Sequence, residues 1–132
     1  MARVTLTPTA LKPLTVGTTV AGVADPAGTA SVAGTGNGFT IAAPTSGSSQ
    51  RYLFLRAANA SGGSGTISVL AGSNPLANSG GVGPLTVTVG NSATAWIGPF
   101  DSSIVEQSDG SLTIETSVVM TVTAFTLDGR RI

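Results

Sequence analysis

Four carboxylates lie between positions 101 and 115: Asp101, Glu106, Asp109 and Glu115. Two such groups at a fixed separation are the machinery of glycoside hydrolysis, and a cluster of them can hold Ca²⁺. Each has a simpler role where it stands. Asp101 follows a Gly-Pro break and can cap a short helical turn. Ser103 and Glu106 have capping-box spacing. Asp109-Gly110 is a turn dipeptide, and Glu115 falls on the polar side of an alternating stretch, LTIET. The spacing also matches no EF-type calcium loop.

Other chemistry is thinly represented. Histidine and cysteine are absent, which removes the usual general base, the commonest metal ligand, thiolate chemistry and disulfides. Ser64 in GGSG has no histidine to activate it, and Thr66 stands where a nucleophile elbow needs glycine. The run Gly34-Thr35-Gly36-Asn37-Gly38 has the glycines of a phosphate loop, but a strand rather than a helix follows it, so it reads as a turn. Asn59-Ala60-Ser61 fits a glycosylation acceptor by chance pattern alone. The residues therefore point to a chain with no catalytic or metal site and no cofactor.

Charge narrows the partners. Six basic and six acidic residues give a net charge of zero, and charged residues are only 9% of the chain, against about 25% in ordinary soluble domains. Nucleic-acid binding needs a basic surplus to neutralise phosphates, and a polybasic membrane contact needs the same; neither is expected. MARVTLTPTALKPL has no apolar core of a secretory signal. Ala57 to Pro99 carries no charge, yet Gly62-Gly63, Asn74-Pro75, Gly80-Gly81 and Gly83-Pro84 break it too often for a membrane span. A β protein with so few charges lacks the usual guard on its strand edges, so those edges are either capped internally or paired or covered in an assembly, and assembly is the favoured reading.

The elements are short β-type runs between Gly, Pro, Asn and Ser breaks. Alternation marks Arg3 to Thr7, Leu14 to Val23, Phe39 to Ala42, Arg51 to Ala57, Thr66 to Leu70, Leu85 to Val89, Ala93 to Ile97, Leu112 to Thr116 and Val118 to Leu127. Asn37-Gly38 suits a type I′ turn. Arg51 to Ala57 and Thr66 to Leu70 are expected to form one hairpin, and Leu85 to Val89 and Ala93 to Ile97 another around Gly90-Asn91-Ser92. In RYLFLRA, Tyr52, Phe54 and Arg56 share one face and Leu53, Leu55 and Ala57 the other, which places this strand centrally. About eight short strands at this spacing predict one all-β domain over 1–132. It is an antiparallel β-sandwich, jelly-roll or Ig-like, with an extended arm over 1–13 and a tail over 128–132.

Within that frame WIGPF reads as a structural corner. Alternation sends one of Trp96 and Ile97 inward; Gly98 before Pro99 ends the ladder; Phe100 returns an apolar anchor; Asp109-Gly110 restarts the sheet. Tyr52, Phe54, Trp96 and Phe100 are read as core residues or the apolar centre of an interface. The candidate interface residues are Arg3, Leu6 and Lys12 on the arm, Arg51 and Arg56 on the strongest strand, Pro75 and Leu76 in the long loop 71–84, and Arg130 and Arg131 in the tail.

The order RYLFLRAANASG, LTVTV, TAWIGPF, a DG turn and VVMTVTAFTL resembles small head proteins of tailed bacteriophages, of the capsid decoration, cement or minor head type. The likeness covers roughly Gln50 to Leu127, with Val105 or Glu106 standing where that group often carries an aromatic. It implies a non-enzymatic virion protein made in the host cytoplasm and bound to the outer capsid surface. The major capsid protein would be its partner, and a homo-oligomer, often a trimer, its state. The alternatives are a β-sandwich module for host-surface glycans, or a head-completion or tail protein.

Overall fold

The computed structural model describes residues 3–11, 24–42, 53–72, 84–98, 107 and 110–127. These residues form ten strands and no helix. The strands are β1 (Val4–Thr5), β2 (Thr9–Leu11), β3 (Thr29–Ala30), β4 (Phe39–Ile41), β5 (Leu53–Ala58), β6 (Gly65–Val69), β7 (Leu85–Val89), β8 (Thr94–Ile97), β9 (Leu112–Thr116) and β10 (Thr121–Leu127). They build a β-sandwich. One sheet runs β1-β4-β9-β6-β7 and the other β2-β10-β5-β8, with β3 also paired to β10.

Alternation decides what lies between the sheets. On β5, Leu53, Leu55 and Ala57 are buried while Phe54, Arg56 and Ala58 are only partly so. On β9, Leu112 and Ile114 face inward with Thr113 and Glu115 outward. Phe39, Ile41, Ile67, Val69, Val89, Ile97, Met120, Val122 and Ala124 complete the same cluster. At roughly 1.5–3 kcal/mol for each large side chain removed from water, this interior dominates the stability.

The connections differ from the sequence expectation. β5 lies in one sheet and β6 in the other; so do β7 and β8. Both expected hairpins are instead arches that cross the interior. For β5 and β6 the physical reason is that every partner edge is taken, β5 by β10 and β8 and β6 by β7 and β9. Among the described residues β7 and β8 each keep one open edge, but they end opposite sheets, held there by β6 and β5. Alternation alone is identical for a hairpin and an arch, because in both the apolar face looks inward.

The expected N-terminal arm is also part of the sandwich over residues 3–11. β1 adds parallel to β4, and β2 adds parallel to β10. The chain changes sheets between them, and Leu6 is buried at the crossing, with its N–H donating to the Thr40 carbonyl at 2.9 Å. Leu6 is therefore a core residue and not an interface residue. These two parallel pairings make both sheets mixed. The expected strand over Leu14 to Val23 lies outside the described residues.

One turn differs in type and register from the sequence expectation. The Asn37 N–H donates to the Gly34 carbonyl at 3.2 Å, and Gly36 has φ +86° while Asn37 has no positive φ. The turn is therefore Gly34-Thr35-Gly36-Asn37 with the type II signature, rather than a type I′ turn at Asn37-Gly38. Gly38 (φ +94°) is required for a different reason: a Cβ there would run into the Ile114 carbonyl of the neighbouring strand.

Candidate functional site

Among the described residues, three of the four aromatic side chains lie on the solvent face of the β10-β5-β8 sheet, together with one ion pair. Register sets it. Phe125 lies opposite Phe54, Thr123 opposite Arg56, and Arg56 opposite Trp96. All of these point away from the sandwich interior, because Leu55 and Ile97, the adjacent pair, point into it.

On that face three rings meet. Phe54 and Phe125 stack with centroids 5.6 Å apart; Trp96 approaches Phe54 at 5.8 Å and Phe125 at 5.5 Å. These are the separations of favourable offset and tilted pairs. The result is a second, smaller apolar cluster on the outside of the sheet. Phe125 is nearly covered by it, whereas Trp96 remains 60% exposed. Trp96 thus lies at a surface, and Ile97 is the residue sent inward.

Arg56 closes the cluster. Its guanidinium carbon stands 5.7 Å from the Trp96 ring centroid and 5.4 Å from that of Phe125, which is cation–π distance. Nη1 donates to Asp25 Oδ1 at 2.5 Å, and Nη2 donates to the Pro26 carbonyl at 2.9 Å and to Thr123 Oγ1 at 3.3 Å. The planar fork is therefore held between rings and acceptors, a role lysine could not fill. Asp25 itself is three-quarters exposed, so the ion pair positions Arg56 more than it stabilises the fold.

The other described ion pair has a different job. Arg3 Nη2 donates to Glu115 Oε2 at 2.5 Å, and the same oxygen accepts the Gly36 N–H at 2.8 Å. Glu115 thus occupies the amide that a phosphate would need in the glycine-rich turn, and it pins β1 to β9. Arg3 is a strut of the fold rather than a free docking group. Asn59 is also structural. Its buried Nδ2 donates to the Gly63 and Val89 carbonyls, both at 2.9 Å, and its Oδ1 accepts from the Ser61 N–H and hydroxyl. A glycan could not be attached to that nitrogen without unmaking the arch.

Of the WIGPF corner, Trp96, Ile97 and Gly98 are described. Gly98 has φ +115°, and a Cβ on it would lie 3.0 Å from Phe54 Cβ, so the corner needs glycine there for close approach to β5. Gly110 has φ +86° and its N–H donates to the Gln107 carbonyl at 2.9 Å, as a turn before β9. Pro99, Phe100, Asp101, Glu106 and Asp109 lie outside the described residues, as do the candidate interface residues Lys12, Arg51, Pro75, Leu76, Arg130 and Arg131. The structure brings together Trp96, Arg56 and Phe54. It adds Phe125, Thr123 and Asp25, which the sequence reading did not single out. The signal for Phe125 was its alternation with Ala124 in the last strand; its face follows only from the pairing with β5.

Among the described residues no three His, Cys, Asp or Glu side chains come together as a metal-binding group. What the arrangement offers is recognition: one exposed indole backed by two largely covered rings, a cation fixed beside it, and the exposed Thr94 and Thr121 on the same face. Comparisons with protein-family models, with characterised proteins and with solved structures find no match to this chain.

Proposed function

We propose that this chain is a structural virion protein, a capsid decoration or cement protein that binds the outer surface of a tailed-phage head and holds neighbouring capsid subunits together. The observation that carries the reading is the pair of edge strands β7 and β8, which carry no charge of their own and include the exposed Trp96. Residues 57 to 99 contain no charged side chain. The two edge strands there, β7 and β8, are among the least covered, with Leu85 43% and Trp96 60% exposed. A monomer gains nothing from an uncharged edge and an open indole; an assembly that buries them does. The resemblance of residues 50 to 127 to phage head proteins gives the assembly its identity. The mechanism is avidity: several modest contacts per copy, each bridging subunits, make detachment slow and resist separation under internal pressure. The major capsid protein is the partner, and no cofactor enters.

Purified virions test the reading. The expected result is the protein at a fixed ratio to the major capsid protein, on the outer surface in a particle reconstruction. Its absence from particles, or its presence at a few copies each, overturns the proposal.

A second reading is favoured by the same indole. An exposed tryptophan beside Thr94, Arg56 and Asp25 has the form of a sugar-stacking platform, which a host-surface glycan would fit. Trp96 fluorescence titrated with a glycan panel decides it: a saturable change supports glycan binding, and no change across the panel removes it.

A further inference from the structure

We infer that the β8 edge pairs with the β8 edge of a second copy of this chain, antiparallel about a two-fold axis at Trp96. The inference rests on the reading of this side as an assembly surface, and it names the occupant.

The backbone supplies the first argument. The Asn59 N–H donates to the Ala93 carbonyl at 2.9 Å. That bond extends the β5–β8 ladder, in which Ala57 faces Ala95 and Leu55 faces Ile97. Antiparallel ladders alternate between hydrogen-bonded and non-bonded pairs. Ala95 and Ile97 therefore spend their N–H and carbonyl groups on β5, and Thr94, Trp96 and Gly98 turn theirs outward. Among the described residues β8 has no second strand neighbour.

Self-pairing satisfies that edge with a single operation. With the axis at Trp96, Trp96 faces its own copy, and Thr94 faces Gly98 of the second chain twice over. All three are hydrogen-bonded pairs, with two bonds each. Both indoles lie on the same face of the joined sheet, because paired residues project to one side. The two clusters of Phe54, Phe125 and Trp96 then merge into one apolar strip, flanked at each end by an Arg56.

Charge selects the occupant. The edge strand β8 carries no ion of its own, and the one ion pair beside it, Arg56 with Asp25, is neutralised within the chain, so nothing on the edge itself repels an identical copy. The opposite side of the same sheet is a poor head-to-tail partner. It is split, with β3 covering Thr121 and Val122 of β10 and β2 covering Phe125 to Leu127. An isologous contact also closes at two copies and leaves no growing edge of this sheet on that side.

Sedimentation velocity over a concentration series, on the full chain, tests the inference. The expected species has twice the 12.9 kDa protomer mass, and its tryptophan emission moves to the red as dilution separates the copies. Thr94→Pro removes an outward N–H while leaving the β5 ladder and Trp96 in place, and is expected to weaken association at least tenfold with an unchanged far-UV circular dichroism spectrum. Trp96→Lys puts like charges face to face on the axis and is expected to leave a monomer. A wild-type monomer at millimolar concentration, a trimer, or a dimer that survives both substitutions overturns the inference. A monomer that still coats virions removes this interface and leaves the proposed function standing. A dimer missing from virions does the reverse.

Discussion

Replacing Trp96 with alanine separates a surface cap from a core residue by its magnitude. An indole side chain removes up to about 250 Å² from water when fully covered. Trp96 is 60% exposed, so roughly 100 Å² is covered. At about 25 cal/mol per Å² that is about 2.5 kcal/mol, reduced to about 1.5–2 kcal/mol by the compactness of the unfolded chain. Loss of the ring contacts with Phe54 and Phe125 is contained in that range, since shaving the indole also lets water reach Phe125. A fully buried tryptophan would lose about 3–5 kcal/mol. The assay is urea unfolding of wild type and Trp96→Ala followed by far-UV circular dichroism, at a concentration where sedimentation gives the protomer mass. A loss of 3 kcal/mol or more would mean that the indole is enclosed. A loss below about 0.5 kcal/mol would mean that it does not cap the outer cluster. Either result refutes the placement. Acrylamide quenching of wild-type fluorescence gives an independent check, with ready quenching expected from a majority-exposed ring.

Two further perturbations probe the internal polar contacts. Glu115→Ala removes the acceptor for both Arg3 and the Gly36 amide and is expected to lower stability by about 2–4 kcal/mol in urea melts; adding Arg3→Met, which withdraws the stranded cation, recovers part of that loss. Asn59→Ala strips four hydrogen bonds from the β5–β6 arch and is expected to lower stability by about 2–4 kcal/mol, with amide exchange accelerated in the 59–63 and 90–93 turns first.

Strand positions were legible where alternation and breakers agree. Leu85–Val89 and Leu112–Thr116 match the sequence boundaries to the residue; Gly90 follows the first, and the turn at Gly110 precedes the second. The central placement of β5 followed from its two differently covered faces. Sheet membership was not legible, because a strand's period of two says which side is apolar and nothing about the neighbour. Thus β5 and β6 read as a hairpin and fold as an arch. The site was half legible. Alternation already put Arg56 and Phe54 on one face of the strand. Whether Trp96 joined it depended on a single register, Leu55 opposite Ile97, set by a partner some forty residues away. Leu6 was missed as core because an N-terminal segment of alternating Thr and apolar residues looks the same whether it docks on its own sheet or on another protein.

The position of β10 has a consequence in time. This strand holds β5 along one side and β2 and β3 along the other, yet it is made after all three. Ribosomes add roughly 5–20 residues per second, so β2 waits many seconds for the strand it must lie beside. During that interval the nascent chain is a set of charge-poor strands without their centrepiece. A chain stopped short of Thr121 would keep most of its apolar residues and lose the strand that orders them, which makes truncation before that point a route to aggregates rather than to a smaller domain.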